Sequence, residues 1–169
     1  MNRHIIPLLL ASSLLLGCPV QFVSDYDATT DRGVSDLQQA VDTHLSRLEE
    51  LAGELPGLES LAQDCDPANF ARTYQELQTK LRALILRNEA RTKNDLTVEQ
   101  LKLLQASLGT LQKLQQERFA PTDPERRITR PGDHCMSAGM VEANRQILEQ
   151  NIRAILKLEL AKREFRREG

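Results

Sequence analysis

Apolar residues recur at steps of three and four through four separate segments of the chain, and this spacing constrains the fold more than any other feature. Such steps place side chains on one face of an α-helix, because the helix has about 3.6 residues per turn. Glycine is scarce, at 8 of 169 residues, whereas the helix formers leucine and glutamine are abundant. The sequence therefore predicts an all-α protein, an antiparallel four-helix bundle with an extended N-terminal tether.

The first predicted helix runs from Ser35 to about Leu55. Ser35 and Gln38 have the spacing of a capping box, in which each side chain bonds a backbone amide of the first turn. Pro56-Gly57 then ends the helix. Its predicted apolar face consists of Val34, Leu37, Val41, Leu45, Leu48, Leu51 and Leu55.

The second predicted helix follows Asp66-Pro67, an N-cap residue with proline at the first helical position. Residues 92–95 are predicted to form the turn that follows it. A parallel coiled-coil oligomer would use the same spacing, so the pattern leaves that alternative open. The seam of this helix consists of Phe70, Tyr74, Leu77, Leu81, Leu84 and Asn88.

The third predicted helix starts at Thr97, where Thr97 and Gln100 form a second capping box. Its apolar face contains Leu101, Leu104, Leu108 and Leu111, with Leu103 and Leu114 widening it. Residues 120–136 contain three prolines and a glycine and are predicted to form the longest internal loop. The fourth helix is predicted from about Ser137 to about Arg166, with a face of Val141, Leu148, Ile152, Ile155 and Leu158 or Glu159.

The first 17 residues are typical of a signal peptide. Arg3 and the amino terminus supply positive charge, and the apolar run Ile5–Leu16 is shorter than the roughly 20 residues that span a bilayer. The end of this segment, Leu15-Leu16-Gly17-Cys18, resembles the lipobox of bacterial lipoproteins. The resemblance implies that the chain is cut before Cys18, and that lipid on Cys18 makes the membrane a partner.

The resemblance also implies a location for the protein and divides the chain into three parts. Pro19 follows the cysteine, where aspartate often implies retention in the inner membrane, so we expect the outer membrane, facing the periplasm. Residues 19–33 lack helical periodicity and could reach about 50 Å if extended. The predicted parts are a signal peptide at 1–17, a lipidated cysteine and flexible tether at 18–33, and a helical bundle domain at 34–169.

The tether contains a second pattern. Phe22, Tyr26-Asp27 and Thr30-Asp31, followed by a Leu-Gln helix, resemble the start of a small Gram-negative helical lipoprotein family of uncharacterised activity. The resemblance covers about 25 residues and implies no activity. The alternative is a polar linker whose Phe22 and Tyr26 dock on the bundle.

The remaining cysteines form an even pair. With Cys18 assigned to lipid, Cys65 and Cys135 are left in an oxidising compartment, and we predict a disulfide between them. They precede the second and fourth helices, whose starts fall at the same end of an up-down-up-down bundle. The alternative is a metal site formed by Cys65, His134 and Cys135 with Asp64 or Asp66. Adjacent histidine and cysteine are poor ligand spacing, so no metal and no other cofactor is predicted.

The sequence carries weak indications of function. Acidic and basic side chains nearly balance, at 24 and 22, which disfavours a nucleic-acid partner. Leu96-Thr97-Val98-Glu99-Gln100 resembles a motif that periplasmic stress chaperones carry twice, and here it occurs once. We expect no catalytic residues, and a non-enzymatic binding or structural role with an envelope protein partner. The alternatives are a stress chaperone-like protein and a small-ligand or metal-binding bundle.

Overall fold

A computed structural model describes residues 23–53, 64–119 and 135–168. Within these ranges the chain forms four α-helices and one 3₁₀ turn, and no strand. The elements are α1 (Ala28–Gly53), the 3₁₀ turn (Pro67–Phe70), α2 (Ala71–Glu89), α3 (Asp95–Phe119) and α4 (Ala138–Glu168). The predicted all-α bundle is confirmed. In the described part of the chain, no helix has the length and apolar character needed to cross a membrane.

The helices form a four-membered ring in which α1 packs on α2, α2 on α3, α3 on α4, and α4 back on α1. Helices α2 and α4 therefore lie on a diagonal. Hydrogen bonds bring the start of α1, the end of α2, the start of α3 and the end of α4 together at one end of the bundle. We call this the polar end. The opposite end, with Cys65, Tyr74, Gln115 and Cys135, is the disulfide end.

The predicted helix faces form the core of this ring. On α1 the six predicted face residues from Val34 to Leu51 are buried, and the seventh, Leu55, lies outside the described residues. The predicted seam that starts at Phe70 in the 3₁₀ turn and continues along α2 to Asn88 is also buried. One detail differs on α3, and on α4 the structure selects one of the two predicted alternatives. Leu103 is 54% exposed, so the prediction that it widens the face of α3 is wrong. On α4 the fully buried Glu159, and not Leu158, continues the face.

Helix α1 begins seven residues earlier than the capping box predicts, so residues 28–33 of the predicted tether are helical. Asp27 is the residue that caps it, because its backbone oxygen accepts from Asp31 N at 3.0 Å and its Oδ1 accepts from Thr29 N at 3.2 Å. Ser35 instead donates to the Asp31 carbonyl, 3.0 Å away, from inside the helix. The capping-box spacing is a misleading signal here because serine can bond backwards within a helix.

Gly33 lies inside α1, although a glycine in such a polar stretch is typical of a linker. A Cβ on Gly33 would lie 2.7 Å from Leu84 Cδ2, so a larger residue here would require the Leu84 side chain to shift. The absence of a side chain at position 33 leaves room for Leu84 of α2 to pack against α1. This close packing is a physical reason for a glycine at a helical position, where it costs about 1 kcal/mol relative to alanine.

The starts of α2 and α3 are mixed outcomes. Asp66 is the predicted N-cap, and its Oδ1 accepts from Ala68 N at 2.8 Å, although the first turn is 3₁₀. Helix α3 begins at Asp95, so the predicted start at Thr97 is wrong. Thr97 lies inside the first turn and is fully buried, with its hydroxyl bonded to α4 instead of capping α3.

Candidate functional site

The structure joins Cys65 and Cys135 in a disulfide, with their Cα atoms 5.3 Å apart and both residues buried. The bond links the start of α2 to the start of α4, and these helices are diagonal in the ring. It therefore ties together two helices that lie outside each other's main packing surfaces. Cys18, the predicted lipidation site, lies outside the described residues.

Cys65 and Cys135 cannot serve as the thiolate ligands of the alternative metal site, because their sulfur atoms are bonded to each other. Among the residues that the structure describes, no group of three or more His, Cys, Asp and Glu side chains is arranged to hold a metal ion. His134, the third predicted ligand, lies outside those ranges.

The interior of the polar end contains an ion pair on α4. Lys162 Nζ lies 2.6 Å from Glu159 Oε1, and the two side chains are 3% and 0% exposed. Lys162 directs its other protons to Asn94 Oδ1 and Thr97 Oγ1, each at 2.7 Å. Thr97 in turn donates to Glu159 Oε1 at 3.0 Å. Every ammonium proton thus has an acceptor, the condition that a buried charge needs to be tolerated.

Two asparagines extend these contacts across the bundle. Asn94 Nδ2 donates to Asn88 Oδ1 at 2.6 Å, and Asn94 Oδ1 accepts from Ser24 Oγ at 2.6 Å. Asn88 Nδ2 then donates to Thr30 Oγ1 on α1 at 2.9 Å. The contacts from Lys162 to Thr30 consequently cross all four helices. We call this set the polar network: Ser24, Asp27, Thr30, Asn88, Asn94, Thr97, Glu159 and Lys162.

Asp27 connects the polar network to an arginine at its rim. Its Oδ2 accepts from Arg87 Nε at 2.7 Å and from Thr30 Oγ1 at 2.8 Å, and its Oδ1 accepts from Arg87 Nη2 at 3.0 Å. These hydrogen bonds, led by those from Arg87, hold the pKa of the Asp27 carboxyl far below its usual value. The Asp27 amide donates to Glu159 Oε2 at 3.3 Å, so one residue joins the cap of α1 to α4.

The residues before α1 are bound to the turn between α2 and α3. Ser24 N donates to the Lys93 carbonyl at 2.8 Å, and Arg91 Nη2 donates to the Asp25 carbonyl at 2.7 Å. Ser24 is buried as a result. The part of the predicted tether that the structure describes is therefore packed against the polar end.

Tyr26 docks in the same region, as the linker alternative predicts. Its hydroxyl donates to Asp31 Oδ2 at 2.7 Å, and this hydrogen bond raises the pKa of the Tyr26 phenol. The guanidinium of Arg163 lies 5.8 Å from the centre of the ring, within range of a cation–π contact. Phe22, the other predicted docking residue, lies outside the described residues.

The disulfide end packs its polar groups among aromatic rings. His44 is buried, with its ring 4.6 Å from Tyr74 and 5.7 Å from Phe70 in edge-to-face geometry. Burial lowers the pKa of His44 to about 4, so the imidazole is neutral near pH 7. Its Nε2 is buried without a hydrogen-bond partner among the described residues. Tyr74 OH donates to Gln115 Oε1 at 2.8 Å, and burial raises the pKa of Tyr74.

Four large apolar side chains are about half exposed or more on α3 and α4, namely Leu96, Leu103, Ile147 and Phe165. Leu96 and Leu103 are seven residues apart, and Ile147 and Phe165 are eighteen apart, so each pair lies on one face of its helix. The contact line between the two helices is marked by Asn151 Nδ2, which donates to Ser107 Oγ at 2.8 Å.

Helical spacing places both pairs beside that contact line. Leu103 lies one turn before Ser107, and Ile147 lies one turn before Asn151. The four side chains therefore flank the α3–α4 boundary on its outer side, and we call them the apolar face. Leu86 on α2 is also exposed but lies away from this boundary.

The polar network is the feature that the sequence pattern does not reveal. The pattern places Asp27 and Thr30 in the tether, whereas the structure buries both. Glu159 is one of the two residues that the spacing predicts on the face of α4, and the same spacing, continued by three residues, could have placed Lys162 there as well. The spacing carries no information on which polar side chains they meet.

Comparisons with known proteins found no match for this chain. No family model matches it, and no curated protein and no solved structure is detectably similar to it.

Proposed function

We propose that this protein is a lipid-anchored periplasmic bundle with a non-enzymatic binding or structural role in the cell envelope. The observation that carries the proposal is Leu15-Leu16-Gly17-Cys18 at the end of a short apolar segment with a positive start. With Pro19 after the cysteine, we place the anchor in the outer membrane, facing the periplasm. The oxidised Cys65–Cys135 pair fits an extracytoplasmic compartment.

The binding role draws support from the apolar face. Large exposed apolar side chains that share one side of two packed helices are typical of surfaces that bind other proteins. The occupant that we propose is the apolar side of a helix in an envelope protein, since two adjacent helices form a groove that a third helix can enter. The buried charges of the polar network bond to one another, and they hold helices together.

The anchoring part is tested by mass spectrometry of the mature protein and by membrane fractionation. We expect an N-terminal peptide that begins at Cys18 with a mass increase matching acyl chains, and we expect the protein in the membrane fraction. The variant Cys18→Ser should lack the acyl mass and leave that fraction. An unmodified Cys18 in the wild-type protein would overturn the anchor.

The binding part is tested by placing a photocrosslinking amino acid at Leu103 or Ile147 in intact cells, with the exposed Leu86 on α2 as the matched control. We expect one identified partner to crosslink at the first two positions and not at the third. The partner is then purified and titrated against wild-type protein, Leu103→Glu and Leu86→Glu, and only Leu103→Glu should lose binding. A product that contains two copies of this chain, or no product, would overturn the proposed partner.

A further inference from the structure

The described chain becomes part of the bundle at Ser24, and it does so at the polar end. Ser24 uses its backbone amide and its hydroxyl to bond the α2–α3 turn, and the side chain is buried. Asp25 and Asp27 are bonded to arginines of α2 and its following turn. The point at which the chain leaves the bundle toward its N-terminus is therefore fixed beside residues 90–94.

This exit point limits the reach of an anchor at Cys18. Six residue steps separate Cys18 from Ser24, and a fully extended chain of that length spans about 20 Å. Helix α1 has 26 residues and is therefore about 39 Å long. The segment from Cys18 to Ser24, which we call the leash, therefore reaches about half the length of the bundle. The 15-residue tether predicted from sequence could have exceeded that length.

We propose that the polar end of the bundle faces the lipid bilayer, with the α2–α3 turn against the headgroups and the disulfide end directed away. The inference rests on the proposed lipid anchor at Cys18. The polar network then fixes the position of the bundle relative to the anchored segment, because it bonds residues 24–30 to all four helices. In this orientation the apolar face, which runs along α3 and α4, extends away from the membrane surface and stays accessible to a periplasmic partner.

The orientation is tested with the full-length lipidated protein in vesicles that contain a headgroup-attached fluorescence quencher. One preparation carries a fluorescent amino acid at Thr92 in the α2–α3 turn, and another carries it at Arg72 near the disulfide end, since both positions are exposed. We expect severalfold stronger quenching at Thr92 than at Arg72. Equal quenching at both, or stronger quenching at Arg72, would overturn the orientation.

A longer leash supplies the matched control. Inserting twelve glycine and serine residues between Phe22 and Val23 leaves the contacts of Ser24 in place and raises the maximum reach to about 60 Å. We expect the difference between Thr92 and Arg72 to shrink, because either end can then approach the bilayer. An unchanged difference would show that the leash does not set the orientation.

The two proposals fail in different ways. If Cys18 carries no acyl chains and the protein does not sediment with the vesicles, the anchor fails and the orientation fails with it. If the protein is acylated and bound to the vesicles but Thr92 and Arg72 are quenched alike, only the orientation fails.

Discussion

The two ends of this bundle are closed by different kinds of interaction. At the polar end, eight side chains from four helices and their flanking residues bond one another around the buried Lys162–Glu159 pair. At the disulfide end, one covalent bond joins diagonal helices, and His44 packs between two aromatic rings. In an oxidising compartment the disulfide persists even when neighbouring side chains are replaced. In the polar network each buried group satisfies another, so removing one member leaves its partner without a hydrogen bond.

The contrast predicts that single substitutions will be most damaging at the polar end. Lys162→Met should leave the Glu159 carboxylate buried and unpaired, and should lower the free energy of unfolding by about 3–5 kcal/mol. Urea denaturation of the purified protein measures the loss. The double variant Glu159→Met with Lys162→Met should be more stable than Lys162→Met alone, since it buries no unpaired charge. A single variant as stable as the wild type would show that the pair contributes nothing to the fold.

The disulfide end should respond to reduction. Replacing both Cys65 and Cys135 by alanine should lower the free energy of unfolding by at most about 4 kcal/mol, because the unfolded chain loses a constraint on a loop of 70 residues. Urea denaturation with and without reductant measures this effect. Reductant should weaken the wild-type protein and leave the double variant unchanged. Equal sensitivity of the two proteins would contradict the assignment.

The ends should also differ in their response to acid. The folded-state pKa of His44 is about 4, against an ordinary value of 6.5, so the unfolded chain takes up a proton first as the pH falls. The contribution of His44 to the free energy of unfolding should therefore fall by about 3 kcal/mol between pH 6.5 and 4, with no further change from His44 below pH 4. His44→Phe should lack this slope in unfolding measurements across the range. An identical pH profile for the variant would rule out His44 as the cause.

Asp27 should act in a more acidic window. Its pKa is lowered in the folded state, chiefly by the hydrogen bonds from Arg87, so its contribution is complete above its ordinary value of 3.8 and is lost as the pH falls through the lower folded value. Asp27→Asn should therefore flatten the unfolding profile below pH 3.8 and leave the slope between pH 6.5 and 4 intact. A change confined to the higher range would contradict this division between the ends.

The smallest expected effects come from removing one hydroxyl group at each end of the bundle. Tyr74→Phe removes the bond to Gln115 and should lower the free energy of unfolding by about 1 kcal/mol. Thr30→Val should cost more, because the Thr30 hydroxyl bonds both Asp27 and Asn88. Parallel urea denaturation of the two variants orders them. The reverse order would show that the polar network is no more cooperative than an isolated hydrogen bond.

Much of the fold follows from local patterns. The seams of α1 and α2 are predicted residue by residue because helical geometry alone decides which side chains share a face. The cap at Asp66 is predicted because its acceptor and donor are two residues apart. The helix starts at Ala28 and Asp95 escape prediction because serine and threonine capping patterns lie nearby. Choosing between candidate starts depends on which residues the bundle buries.

The sequence by itself determined four amphipathic helices and an even pair of cysteines, because these depend on spacings within a helix or on the parity of thiols. Only the tertiary structure decided that Asp27, Thr30 and Lys162 are interior residues. Their partners are distant in sequence, as for Asp27 and Glu159 at a separation of 132 residues. A polar side chain can be buried only where another element supplies its hydrogen bonds, and that supply exists only once the helices have packed.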